Sequence, residues 1–368
     1  TAKPINTPDT KLGLVSGNDS IHFEASRELA LAESQLLCNG ISSFSNDHSN
    51  LHSIARASEN DVYFVSANKI GPLFLDSPSN EIFDPKSQIT VPHEYLLGSG
   101  RSQIVAPSGK VLAKLEHANE GFIYADIDFN QAPLGLNNKK RPDGTSIIQQ
   151  RRPELYCHVS TSEAKISDVT RDVEGVPETA NVALFATYKS NEQAIEDVCH
   201  YIENNLSDVI QLPELFFVAD KALTQDSKQR EEVERLSHLT IALVSAQLRP
   251  YQYVCTSLIL NGDHQAVLIN EKGLLATQQQ LHECLRYEWT ALGKELAIID
   301  LALEQGNVHV AMLTADDFNV PEIIQVAAQK GIHMLLVPFD IQEPSDVQQA
   351  LLSRTAENRI CIVAATRE

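Results

Sequence analysis

A pattern of polar and apolar residues near the start of this chain is written a second time close to its end. Residues 11–69 and residues 309–367 align without gaps at their most informative positions: Asp19 with Asp317, Glu24 with Glu322, Arg56 with Arg354, and Glu59-Asn60 with Glu357-Asn358. The offset is constant, since 322 − 24 = 298 and 357 − 59 = 298. A period of this size is that of a whole domain, far beyond the roughly 20–50 residues of a solenoid unit. Each copy reads as alternating strands and helices. The first places strands over Leu12–Ser16, Gln35–Cys38 and Val62–Ala67, with a helix carrying Ala25, Leu29 and Ala32 at helical spacing. The second places strands over Val308–Thr314, His333–Pro338 and Ile360–Ala365, with a helix carrying Ile323, Ile324 and Ala327. Such alternation predicts an α/β fold.

Between the copies, residues 98–128 read as strands around a Ser-Gly-Lys turn, and residues 129–180 as a polar tail and linker. A new strand is predicted from Asn181, then a helix over Glu192–Asn204 and the run Asp208-Val-Ile-Gln-Leu-Pro-Glu-Leu. The expected organisation is therefore two incomplete copies: residues 1–156 as the closing half of one domain, 157–180 as linker, and 181–368 as the opening two-thirds of a second. On this reading the chain is a piece of a longer tandem protein. Residues 1–156 and 181–300 combining as one permuted domain is the alternative.

Composition limits the partners. There are 29 Lys+Arg against 49 Asp+Glu, a net charge of −20, which repels nucleic acid and anionic lipid. The apolar runs, such as Met334–Phe339, are too short to cross a bilayer. Six cysteines lie scattered with no Cys-x-x-Cys spacing, which predicts reduced thiols and a cytoplasmic location. His117, His200 and His333 have no metal-ligand spacing, and no glycine-rich phosphate loop occurs. Neither a metal nor a cofactor is expected.

Several segments resemble the nitrilase superfamily of carbon–nitrogen hydrolases. Leu212-Pro213-Glu214 is similar to its catalytic-glutamate strand, and Asp317-Phe-Asn-Val-Pro321-Glu322 to the end of its cysteine elbow. Gly331–Pro338 is similar to the strand that follows the elbow, and Ala55–Asn60 with Val62–Asn68 to the segment after that. Gly98–Pro107 and Tyr124–Asp128 resemble the closing strands, and Arg151–Tyr156 the terminal Arg-Arg-Pro-Glu-Leu-Tyr. The resemblance implies a four-layer αββα sandwich that self-associates through its helices. It also implies a cysteine nucleophile, a glutamate general base and a lysine that stabilises the oxyanion.

Carried over residue by residue, the base falls on Glu214 and the lysine on Gln280. The nucleophile falls on Ala315, or on Thr314 with a loop one residue longer, and in the first copy on Gly17. Glutamine carries no charge, and neither glycine nor alanine has a side chain able to attack carbon. The expectation is a catalytically impaired module that binds a small amide- or nitrile-like molecule or serves assembly. An active amidase or nitrilase whose nucleophile comes from missing segments or another chain is the runner-up, with Thr314 and Cys284 as weaker candidates. Cys38, Cys255 and Cys361 lie in apolar runs and are expected to be packing residues. Glu59 and Glu357 are expected to be structural, Thr1 an arbitrary start, and the basic runs Lys139–Arg141 and Arg151-Arg152 solvated.

Overall fold

A computed structural model describes residues 3–73, 81–84, 89–132, 140–157, 175–220, 225–343 and 346–367. Thr1, Lys139 and most of the 157–180 linker lie outside the described residues. The chain forms two compact units, Thr1–Lys139 with Ser345–Ser353, and Lys140–Pro344 with Arg354–Glu368.

The first unit is built on a sheet of six strands, in the order Ile5–Asn6, Lys11–Ser16, Leu36–Ile41, Tyr63–Asn68, Gln103–Val105 and Val111–Lys114. The strands from Lys11, Leu36 and Tyr63 run parallel, as strands joined by helical crossovers must. Helices Phe23–Leu31 and Ser53–Asn60 supply those crossovers. One face of the sheet closes a core of Val15, Leu29, Leu37, Phe64 and Val105. The helix Ser53–Asn60 ends where Asp61 turns left-handed at φ +55°, and its buried Arg56 pairs with Glu59 at 2.7 Å. Strands do flank the Ser108-Gly-Lys110 turn. Beyond it, Tyr124–Asp128 joins no ladder among the described residues; the segment is held instead through Tyr63, whose hydroxyl donates to the Asp128 carbonyl at 3.1 Å.

The second unit has two sheets packed face to face. Five strands, Val182–Leu184, Val209–Glu214, Tyr253–Leu260, Asp263–Asn270 and Gly273–Gln279, form one, and Ile299–Leu303, Gly306–Met312, Met334–Pro338 and Cys361–Ala365 form the other. Val209, Cys255 and Leu268 from the first meet Val310, Met312, Leu336 and Val363 from the second in one buried cluster. Helices Asn191–Glu203 and Ser227–Gln247 cover the outer face of the five-stranded sheet through Ile195, Val198, Leu236 and Val244. Helix Pro321–Gln329 is the crossover of the other sheet, with proline at its first turn, where no backbone donor is lost. A sheet-on-sheet sandwich between helices is the αββα arrangement that the sequence led us to expect.

The offset of 298 holds in three dimensions. In the first unit Leu12 pairs with Leu36 and Leu36 with Tyr63. In the second, Val310 pairs with Met334 and Met334 with Cys361, which are the same pairings plus 298. The crossover helices Phe23–Leu31 and Pro321–Gln329 begin and end 298 residues apart, and the Arg56–Glu59 pair recurs as Arg354–Glu357. Glu59 and Glu357 thus hold arginines on their own helices.

Identical patterns meet different surroundings. Met312, Leu336 and Val363 form a row buried by the facing sheet, whereas in the equivalent row Cys38 and Val65 are half-buried and Leu14 is 62% exposed. Burial of apolar area is what makes a core position sensitive to truncation. Met312→Ala is therefore expected to destabilise by about 2–5 kcal/mol. Leu14→Ala should change stability by less than about 1 kcal/mol. Denaturant unfolding of both variants followed by circular dichroism checks the contrast.

Candidate functional site

Strand Val209–Glu214 lies between two parallel neighbours and is buried along its whole length, so its last residue is delivered deep in the second unit. Pro213 cannot donate to a ladder, and the register slips between Gln211 and Glu214. Leu215 then turns at φ +41°, strained for a branched residue and held by its N–H donating to Ser257 Oγ at 3.1 Å. The Glu214 N–H donates across to the Phe339 carbonyl of the other sheet at 3.3 Å. The Glu214 carboxylate sits at this end with no exposure to solvent.

One loop supplies two of its neighbours. Tyr287 donates its hydroxyl to Glu214 Oε2 at 2.9 Å, and Arg286 Nη2 lies 3.3 Å from the same oxygen. Arg286 Nη2 also donates to Asp316 Oδ2 at 2.8 Å, and Nη1 pairs with Asp340. One guanidinium therefore links the glutamate to the residue that follows Ala315. Burial works against the charge on Arg286, but the Asp316 and Glu214 carboxylates outweigh it and raise the guanidinium further above its usual range. Burial by itself would raise Asp316; the Arg286 and Arg141 guanidiniums prevail and hold its carboxyl below the usual carboxylate range. Burial, reinforced by Glu214, pushes the Tyr287 phenol well up, so it stays a donor.

On the other side of Glu214 stands His264. Its Nε2 is 3.7 Å from Glu214 Oε1 and 3.0 Å from Ser257 Oγ, and its Nδ1 is 3.2 Å from Gln280 Oε1. Gln280 Nε2 donates to the His282 carbonyl at 2.8 Å, so both ends of this amide are occupied. Gln280 and Glu214 are thus brought together through one buried imidazole.

Ala315 and Thr314 lie where the strand Gly306–Met312 leads into a short helical turn, Asp317–Asn319, ahead of helix Pro321–Gln329. Both are buried. The Thr314 hydroxyl donates to Asp317 Oδ2 at 2.9 Å, which makes it part of a clamp. Asp317 also accepts from the Leu281 N–H at 2.9 Å, the His282 N–H at 2.7 Å and the His282 ring at 2.9 Å. One carboxylate thereby fixes the turn carrying Ala315 to the loop carrying Gln280. Gly17 belongs to the first unit, where it opens the matching turn at φ +49°; a Cβ built there meets nothing within 4 Å.

The sequence did not single out Arg286, Tyr287, His264 or Asp317 as site residues; Asp317 alone carried a signal, as a repeat and elbow position. The polar tail also departs from expectation. Arg141 is buried and donates to Asn319 at 2.9 Å, Arg151 pairs with Glu322 at 2.6 Å, and Arg152 donates to the Leu281 and Gly293 carbonyls at 2.7 and 2.8 Å. These arginines are spent on backbone and carboxylate partners, so they are structural where a solvated run was expected. In the same segment Thr145 accepts from the Leu285 N–H at 2.9 Å, and Asp143 accepts from the Arg286 N–H at 3.3 Å.

Among the other thiols, Cys255 is fully buried in the sheet core and burial pushes it up to about 12. Cys284 is raised further by burial and then by Asp316, far from a reactive thiolate. Cys361 is exposed at a strand start, not the packing residue expected from its apolar run. Cys284, Asp143 and Asp316 bring three possible ligand atoms within 4.8 Å of one another. With Asp316 bound to Arg286, and Cys284 held as a thiol beside Asp143, this group reads as buried polar packing.

Residues 1–133 match the family model of the carbon-nitrogen hydrolases. No curated protein matches the chain. Among solved structures, the chain is similar to the NitN amidase from Nesterenkonia, at 20% identity and a TM-score of 0.43, over 51% of this chain and 78% of that one. A cysteine-to-alanine mutant of the Nesterenkonia sp. AN1 amidase in complex with butyramide is similar at 22% identity and the same TM-score, over 52% of this chain and 78% of that one. A double mutant of that amidase in complex with acrylamide is similar at 20% identity, with equal coverage and TM-score. Among the described residues, no helix is long and apolar enough to cross a membrane.

Two outcomes follow from the geometry. Asp317→Ala leaves buried N–H donors at Leu281 and His282 unmet, and each such orphan costs about 1–3 kcal/mol. Loss of at least about 2 kcal/mol in denaturant unfolding is therefore expected, and a neutral result would remove Asp317 from its clamping role. The second outcome concerns pH. Burial is the main cause holding His264 below its ordinary value of 6.5, against a smaller opposing pull from Glu214. A depressed value means the unfolded chain takes up the proton first. Stability from neutral His264 is present above about pH 6.5 and is lost as pH falls towards the folded-state value, by at most about 1.4 kcal/mol per pH unit. Thermal midpoints measured from pH 7.5 to 5 should fall less steeply in His264→Asn than in the native chain.

Proposed function

We propose that this chain is a tandem carbon–nitrogen hydrolase-type protein whose modules are catalytically impaired and which acts as a scaffold for assembly, with any small-molecule role limited to binding. The observation that carries this reading is the Arg286 guanidinium, seated between Glu214 and Asp316 beside Ala315. A general base needs a free lone pair facing the proton it removes, and a nucleophile to serve. Glu214 has Tyr287 and Arg286 on one oxygen and His264 close to the other, while Ala315 offers only a methyl group. Gln280, with both ends of its amide hydrogen-bonded, adds no charge for an oxyanion; losing such stabilisation costs about 3–4 kcal/mol in the barrier.

The tandem part of the proposal is supported by the common strand register at an offset of 298 and by the recurring Arg–Glu helix pairs. In the first module the matching turn carries Gly17, equally unable to attack. Self-association through helices, binding of a small amide- or nitrile-like molecule, and a cytoplasmic location belong to the same proposal. They rest on the resemblance and on the six free cysteines.

Hydrolysis of a panel of amides, nitriles and carbamoyl compounds, read as released ammonia, tests the impaired site. No turnover above buffer is expected. Turnover that scales with protein concentration and disappears in Glu214→Gln would overturn the reading.

A further inference from the structure

We infer that Arg286 is a tethered occupant of the Glu214 site, and that the seat it fills is selective for planar N–H-bearing cations, guanidinium or amidinium groups, over neutral amides. The inference deepens the impaired-site reading and rests on it, because a working site would hold Glu214 open to substrate.

The chemistry of the seat supports this. Three carboxylates, Glu214, Asp316 and Asp340, converge on one guanidinium, two of them on the same Nη2. Forked N–H donors lying in a plane suit carboxylates placed at its edge, and an ammonium lacks that geometry. The face of the plane is served as well: the Arg286 Cζ lies 5.1 Å from the centroid of the Tyr287 ring, within the range of a cation–π contact. Tyr287 meanwhile donates to Glu214, so the aromatic face and one carboxylate are fixed together. A planar group with N–H donors on an sp² carbon is the shape shared by amides, amidinium and guanidinium. What separates them here is charge. Without Arg286 the three carboxylates would lose a positive charge that all three contact, beside the fully buried Glu214, a loss that a neutral amide does not make good and a cation does.

Arg286→Ala in the full chain vacates the seat. Differential scanning calorimetry in acetamidinium chloride, methylguanidinium chloride, acetamide and tetramethylammonium chloride, at matched ionic strength and low millimolar concentration, then reads its preference. The two planar cations should raise the variant's unfolding midpoint saturably, by about 2–4 °C at a few times the dissociation constant. Acetamide and tetramethylammonium should not, and the native chain should respond to none of the four. Equal shifts in native chain and variant, equal shifts with all salts, or no shift would each overturn the inference. If Arg286→Ala does not fold, Arg286→Ala with Asp316→Asn removes one carboxylate together with the cation, keeps the local charge balance of the native site, and carries the same comparison. Turnover of amides by the native chain would defeat the impaired-site reading through the ammonia assay. The ligand preference of the vacated seat is read separately, from the calorimetry.

Discussion

The carboxylate of Asp317 is the joint on which the second unit's site depends. It accepts from two backbone N–H groups and a ring nitrogen of the Leu281-His282 stretch and from the Thr314 hydroxyl, so two loops far apart in sequence are referred to one point. Gln280 stands on one side of that joint and Ala315 on the other. Arg286 comes four residues after His282, and its reach to Glu214 and Asp316 follows from where Asp317 holds the start of the loop. A single buried acid thus decides the positions of residues that never touch it.

Charge distribution gives the site its character. A chain with twenty more acids than bases spends its arginines in the interior of the second unit: Arg141, Arg151, Arg152 and Arg286 all meet carbonyls or carboxylates at low exposure. Arginine suits this because its planar fork makes several directed bonds while remaining charged. The chain as a whole still carries a net charge of −20.

The parts of this architecture that local chemistry dictates were legible in the sequence. Alternation of apolar strands with helices at 3.6-residue spacing announced the α/β layers, and the repeat at 298 fixed strand register to the residue. The positions of Glu214, Gln280 and Ala315 could be placed because they sit at strand ends, where the chain has little freedom. Arg286, Tyr287 and His264 could not. Their roles depend on contacts with Glu214 made from 72, 73 and 50 residues away (286 − 214, 287 − 214 and 264 − 214), and no local pattern marks a side chain for a contact at that range. The basic tail was misread for a related reason. Short runs of arginine between polar residues look solvated until the carbonyls of Leu281 and Gly293 and the carboxylate of Glu322 are seen beside them.

That tail also governs how the chain can be divided. Residues 140–157, although they follow the first copy in sequence, belong to the compact body that holds Glu214. A polypeptide begun at 181 would shed Arg141 from Asn319, Arg151 from Glu322, and both hydrogen bonds that Asp143 and Thr145 offer to the Cys284–Arg286 backbone. The elbow and its neighbouring loop would then lose their outer brace together. A severance placed before Lys140 leaves that brace with the compact body it holds together.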